Sequence, residues 1–391
     1  MNHREVGSSG LTVLHRVPVW LPQTQTWLYN QLRYLPSWIE SHVVCDTDEN
    51  LDQFPWPHVS SFSRASKRRI YGDKLLRRLG WRHHYGFVTA AARNAGAQLM
   101  HSHFGHVGWA NAAVARALNI PHVVTFYGFD VNMLPTQDSR WRGRYAELFA
   151  GVDRVLCEGS HMAARVAELG CGEDRIRVHH LGVELQHIPF QPRSWRPGET
   201  LKVLAAASFR EKKGLPYGIE ALGRIARKMP VQLTIMGDAG SDAASQAEKQ
   251  RILSAIADSG LAEFTNRVGY QPQSVLWELA HDHHVFLSPS VTAADGDTEG
   301  GVPVVLIEMV ASGMPVIATR HCDVPDVILE GRTGWLAPER DVDGLEAVMN
   351  RWLDQPDAWA SMLTAGRKHV EAAYDVRRQG EALAEIYQQL R

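Results

Sequence analysis

The chain has 391 residues, 45% of them hydrophobic and 21% charged, with 12 Trp and a formal net charge of −2. That length exceeds what one hydrophobic core usually holds, so two domains are expected, and the apolar content excludes disorder for nearly all of the chain. A charge this close to balance points to no nucleic acid or other strongly charged partner.

The four cysteines, Cys45, Cys157, Cys171 and Cys322, form no C-x-x-C pair, which speaks against a zinc knuckle or redox motif and for a reducing compartment. Residues 1–10 are polar and Ser/Gly-rich, without the apolar stretch a signal peptide needs, and no uncharged apolar run could span a bilayer. A soluble, cytoplasmic protein, peripheral at most to the inner membrane face, is therefore expected.

Along the chain, short apolar runs alternate with Gly- or Ser-bearing turns and longer stretches of helical spacing, the pattern of repeated βαβ units with parallel sheets. In the first half the expected strands are residues 11–17, 98–102, 122–126, 153–158 and 176–180. Ser160 is expected to cap a helix over residues 162–169 that Gly170 ends. Between residues 64 and 84, eight cations (Arg64, Lys67, Arg68, Arg69, Lys74, Arg77, Arg78, Arg82) face one acid, Asp73, with Tyr71 and Trp81 among them and Tyr85 just beyond. Such a cluster is either a solvated helix face or a patch that leans on an anionic membrane or steers an anionic substrate.

Three prolines within residues 189–198 read as a linker. Beyond it the strands are expected at residues 201–206, 231–236, 266–269, 284–288 and 315–319. The resulting division is a first domain over 1–190, a linker over 191–200, a second domain over 201–372 and a helix over 373–391 returning to the first. The fold class is α/β: two Rossmann-like doubly wound parallel-sheet domains facing a cleft, with the ligand outside the carboxyl ends of the strands.

The most informative stretch runs from Asp297 to Ala318: a loop, a short helix and a strand. Pro303 suits a first helical turn, Gly313 a helix end, and Gly300 and Gly301 leave amides uncovered where a helix binds phosphate. Glu308 falls mid-helix among apolar residues, where a carboxylate needs a partner.

This stretch resembles the E-x7-E signature of glycosyltransferase family 4, the group 1 glycosyltransferases of bacterial polysaccharide biosynthesis. Similar to that family are also Val124-Thr-Phe-Tyr-Gly-Phe-Asp130, Glu211-Lys-Lys-Gly-Leu215, Met236-Gly-Asp238, Phe286-Leu-Ser-Pro-Ser290 and Thr333-Gly-Trp-Leu-Ala-Pro338. The resemblance implies the GT-B fold and metal-independent transfer, with retention, of a sugar from a UDP- or GDP-linked donor to a glycan or lipid-linked glycan. It implies that Glu308 binds the donor ribose, that Glu299 faces the sugar, and that Lys213 with Arg210 stabilises the leaving diphosphate. Gly300, Gly301, Val302, Pro303, Gly237 and Tyr270 complete the implied donor site. His101, His103, Tyr127 and Asp130 are expected near the sugar or acceptor.

Several positions depart from the family pattern. Eight residues separate Glu299 from Glu308 where the signature has seven, which requires a bulge at the Gly-Gly pair. The family's arginine falls on Ser208, so Arg210 stands in for it; Tyr127 occupies a position that is commonly His; and Pro22-Gln-Thr-Gln-Thr-Trp27 replaces a Gly-rich loop. His-x-His at 101 and 103, with His106 beyond, also suits a metal, but no acidic partner motif accompanies it, and no metal is expected. The alternatives are a GT-B nucleotide-sugar epimerase and a non-catalytic nucleotide-sugar-binding module. A dinucleotide dehydrogenase is disfavoured by the lack of G-x-G-x-x-G after a strand.

Overall fold

The computed structural model describes residues 10–22, 25–79 and 84–391. Residues 1–9, Gln23, Thr24, Trp81, Arg82 and His83, on which parts of the readings above fall, lie outside the described residues. The chain divides into two units, one running up to Gly182 and resuming over Val376–Arg391, the other covering Val183–Asp375.

The first unit is built on β1 (Leu11–Trp20), β2 (Ile39–Asp48), β3 (Val59–Ser61), β4 (Leu99–His103), β5 (His122–Phe126), β6 (Arg154–Cys157) and β7 (Ile176–Val178). They form one parallel sheet in the order β3-β2-β1-β4-β5-β6-β7. The second unit holds β8 (Leu201–Ala206), β9 (Val231–Met236), β10 (Thr265–Gly269), β11 (Val285–Ser288), β12 (Val316–Thr319) and β13 (Leu336–Ala337). Their order is β10-β9-β8-β11-β12-β13, again parallel throughout. In each sheet the first strand lies inside and the order reverses beside it, so the carboxyl ends of adjacent strands diverge into loops at a topological switch point.

Near-continuous apolar strands such as β5 and β8 are buried because helices cover both faces of a parallel sheet. Ser160 does not cap its helix: the helix begins at Ser160 itself, with Gly159 in the cap position. The proline-rich stretch is no free linker either. Gln191 and Arg193 donate their N–H groups to the carbonyls of Ser312 and Gly313, the Arg193 guanidinium reaches Ala280 O at 2.8 Å, and Trp195 is buried in the second unit's core. Prolines suit such a run because it needs few amide donors.

The final helix, Val376–Gln388, packs on the first unit through Leu383, Ala384 and Tyr387, which join Leu11, Val13, Leu99 and Val123 in one cluster. Its Gly380 passes so close to the turn after the helix Thr26–Arg33 that a Cβ would lie 2.0 Å from Tyr34 O. Ala in place of Gly favours a helix by about 1 kcal/mol, yet overpacking against a fixed carbonyl costs roughly 1–3 kcal/mol. Gly380→Ala is therefore expected to lower the denaturation midpoint in urea, and a midpoint at or above wild type would show that the helix is not clamped there.

Candidate active site

In the second unit, four loops at the carboxyl ends of neighbouring strands meet around one residue, Glu299. Glu299 lies in the loop after β11, its side chain 6% exposed. Lys213, after β8, donates from Nζ to its Oε2 at 2.8 Å, and Ser290, directly after β11, donates from Oγ to its Oε1 at 2.9 Å. His321, after β12, accepts the Glu299 backbone N–H at Nε2 (3.1 Å), while its Nδ1 meets Oε1 of Glu339, after β13, at 2.5 Å. Burial pushes the Glu299 carboxyl up, but Lys213, Lys212 and the bonds from Lys213 and Ser290 outweigh it and hold the group below its usual range. Glu299 is thus an anion.

His321 answers two opposing demands. Burial pushes it down, while Cys322 and Glu339 pull it up to about 9; the Glu299 N–H, however, needs a bare Nε2. The geometry fixes the neutral ring, with Nδ1–H given to Glu339. Ser290, His321 and Glu339 carried no role in the sequence reading; Ser290 could have been found, because it ends the Phe286–Ser290 match.

Lys212 is also turned inward, binding Asp297 Oδ1 at 3.1 Å and Thr298 O at 2.9 Å, so the loop carrying Glu299 is held at both lysines. Immediately beyond it Gly300 adopts φ +80°, a left-handed turn open to glycine. The Gly300 N–H is taken by Thr298 Oγ1. Among the described residues the N–H groups of Gly301, Val302, Val304 and Val305 meet no acceptor. They open the helix Val304–Ser312, for which Pro303 is the cap residue rather than a member of the first turn. Gly313 ends it in the left-handed conformation.

Glu308, on that helix, accepts from Gln273 Nε2 at 3.0 Å and forms no ion pair among the described residues. Burial pushes its carboxyl up to about 7; Gln273 opposes this and Glu184 adds to it. Gly237 donates its N–H to Gly269 O at 2.7 Å at φ +123°, and a Cβ there would lie 2.0 Å from Ala207 O. Tyr270 is 62% exposed, its hydroxyl donating to Asp238 O. Arg210 departs from expectation: its guanidinium faces Asp242 at 4.0 Å, 54% exposed, instead of joining the Lys213–Glu299 pair. It lines a hollow of about 280 Å³ with Lys212, Glu248, Asp295 and Asp297.

In the first unit the residues expected beside the sugar or acceptor are brought together, but inside the protein. His101 and His103 are fully buried. His101 bonds Tyr387 Oη (2.6 Å) and Thr125 Oγ1 (2.7 Å); His103 bonds Tyr127 Oη (2.6 Å) and His15 (3.2 Å). His15 pairs with His101 across β1 and β4, so period-two alternation puts all three rings on the face that the final helix covers. Burial pushes His15 down to about 3, and His101 and His103 well below the usual range, leaving the three rings neutral. Their nitrogens lie within 4.8 Å of one another, but the rings are stacked or tilted, and His101 spends both nitrogens on hydroxyls. Asp130, also buried, accepts from Gly105 N (2.5 Å) and Tyr127 N (2.9 Å), closing the start of the helix Gly105–Leu118. Tyr127 is 8% exposed. Interior hydrogen bonds account for all four residues: His-x-His marks a strand face, and that face is covered.

Known proteins agree with the architecture. Residues 24–187 match the family model described as Glycosyltransferase Family 4, and residues 188–369 match Glycosyl transferases group 1. The chain is 32% identical over 309 residues to the amylovoran biosynthesis glycosyltransferase AmsK of Erwinia amylovora, covering 78% of this chain and 73% of that one. It is 30% identical over 294 residues to the putative colanic acid biosynthesis glycosyltransferase WcaL of Salmonella typhimurium, covering 73% and 69%. Among solved structures, Anabaena Alr3699/HepE in complex with UDP aligns with TM-score 0.78 at 15% identity, over 97% of this chain and 100% of that one. The lipopolysaccharide outer core galactosyltransferase WaaB in its apo form aligns with TM-score 0.73 at 14% identity, over 97% and 100%. At such identities these structures attest the fold.

The Glu308 environment has a measurable consequence. A carboxyl raised to about 7 in the folded state contributes stability that is present below its unfolded value of 4.5 and lost as the pH climbs through 7. Glu308→Gln removes that loss, so its melting temperature should exceed wild type by more at pH ~8 than at pH ~5. A difference that stays flat across that range would place Glu308 in a solvated site.

Proposed function

The chain belongs to glycosyltransferase family 4, with the GT-B fold, and on that premise we propose that it transfers a sugar, with retention, from a UDP- or GDP-linked donor to a glycan or lipid-linked glycan. The observation that carries the reading is the presence of four amides unmatched among the described residues, at Gly301, Val302, Val304 and Val305, in the same stretch of chain as Glu299 of the part-buried Lys213–Glu299 pair. Free N–H groups at the positive end of a helix bind phosphate, and an adjacent ammonium adds charge without geometric demand. The names of the relatives, which speak of amylovoran and colanic acid biosynthesis, support a place in exopolysaccharide assembly.

In this mechanism the amides and Lys213 hold the donor diphosphate, and Glu308 accepts hydrogen bonds from the ribose in place of Gln273. Glu299 faces the transferred sugar. The acceptor hydroxyl attacks the anomeric carbon from the side that the diphosphate leaves; the carbon–oxygen bond to phosphate breaks through an oxocarbenium-like state, and a phosphate oxygen takes the acceptor's proton. Charge growing on the leaving group is met by Lys213 and the helix start, cations and dipoles the chain itself supplies. Arg210 lies near enough in sequence to join, but only by swinging away from Asp242. Transfer is expected to persist in EDTA.

Thermal melting against UDP-, GDP- and ADP-sugars tests the donor. A UDP- or GDP-linked compound at about 100 times its Kd should stabilise the protein by roughly 2.7 kcal/mol, and no response to any nucleotide diphosphate would overturn the reading. Lys213→Met should reduce turnover at saturating donor by about 10²–10³. Because the change leaves Glu299 buried without its cation, the double variant Lys213→Met/Glu299→Gln serves as control. It should recover the melting temperature but not the rate; recovery of both would make Lys213 a structural partner.

A further inference from the structure

Outside the donor site, the helix Lys67–Arg78 in the first unit wears its apolar residues outward. Tyr71 is 69% exposed, Leu75 59%, and Leu79, one residue past the helix, 69%. At spacings of four these side chains form one stripe. Lys67, Arg68, Lys74 and Arg78 are exposed too, and Lys74 Nζ stands 5.9 Å from the Tyr71 ring centroid. The helix's acid, Asp73, turns inward, 10% exposed, and pairs with His84 at 3.1 Å. Arg64 is spent on Asp48. A merely solvated face would put charge outward and apolar groups inward; here the outward face carries both, with no acid on it.

We propose that this helix docks the protein on an anionic lipid surface. Tyr71, Leu75 and Leu79 enter the boundary between headgroups and acyl chains, while Lys67, Arg68, Lys74 and Arg78 stay at headgroup level on the lipid phosphates. Charge complementarity selects an anionic partner, and the apolar stripe selects lipid over a nucleic acid, whose phosphates would leave three large side chains in water. Among the described residues no helix is long and apolar enough to cross a membrane.

Full-length protein is sedimented with vesicles of phosphatidylglycerol and phosphatidylcholine, with vesicles of phosphatidylcholine alone, and titrated separately with duplex DNA. Partitioning onto the anionic vesicles should exceed the neutral ones by about tenfold or more, and fall with salt. Tyr71→Ser/Leu75→Ser/Leu79→Ser, with every charge kept, should lose most of that binding, and Lys67→Glu/Lys74→Glu should lose the preference for anionic lipid. These side chains are exposed, so melting temperature and its response to UDP should match wild type, which separates failure here from failure of the donor site. Equal binding to both vesicles, undiminished binding by the serine variant, tighter binding to DNA than to anionic vesicles, or no vesicle binding would each overturn the proposal.

Discussion

The second unit is organised around one buried anion. An ionised carboxylate taken out of water costs several kcal/mol unless a cation and hydrogen bonds replace its hydration, and Glu299 obtains those replacements from Lys213 and Ser290, while His321, itself bonded to Glu339, holds its backbone N–H. Lys213, Ser290, His321 and Glu339 follow β8, β11, β12 and β13, which are consecutive in the sheet. The carboxylate and the backbone N–H of this one residue, the latter through His321 and Glu339, therefore tie the carboxyl ends of four adjacent strands together. This tie also sets where the glycine turn at Gly300 releases the chain into the helix at Val304, and so where the free amides stand.

Two glutamates with eight residues between them are handled in opposite ways. Glu299 is drawn down by its lysines and stays charged; Glu308, with an amide for company, is pushed up to about 7. Environments that separate the protonation of two like groups are a mark of functional sites, because each is then suited to a different task. A permanent anion can orient a cation and face developing positive charge. A carboxyl poised near neutrality gains most from a ligand that offers it hydroxyls.

In the first unit the same physics yields scaffold instead. The imidazoles of His15, His101 and His103 are kept neutral by burial and are threaded by hydrogen bonds to Thr125, Tyr127 and Tyr387. Tyr387 arrives from the far end of the chain, so the returning helix caps the sheet with a polar contact as well as an apolar one. Neutral rings cost less to bury than charged ones, but each nitrogen left unmatched costs about 1–3 kcal/mol, which favours a network over isolated histidines.

Much of this was determined by the sequence itself. The apolar strands, the parallel sheets and the helix that ends at Gly313 were legible because local periodicity and turn chemistry specify them. The loop-helix-strand around Glu299 and Glu308 was legible because its residue order is distinctive. Strand β2 escaped notice because Glu40, His42, Asp46 and Asp48 interrupt its apolar pattern, and β13 because it has two residues. What tertiary structure alone decided was partnership: that His321 and Glu339 buttress Glu299, that Arg210 turns to Asp242, that a proline-rich run is stitched to Gly313, and that His101 is sealed beneath Tyr387. A side chain's partners depend on which strands lie side by side and which face a distant helix covers, and neither follows from the spacing of residues along the chain.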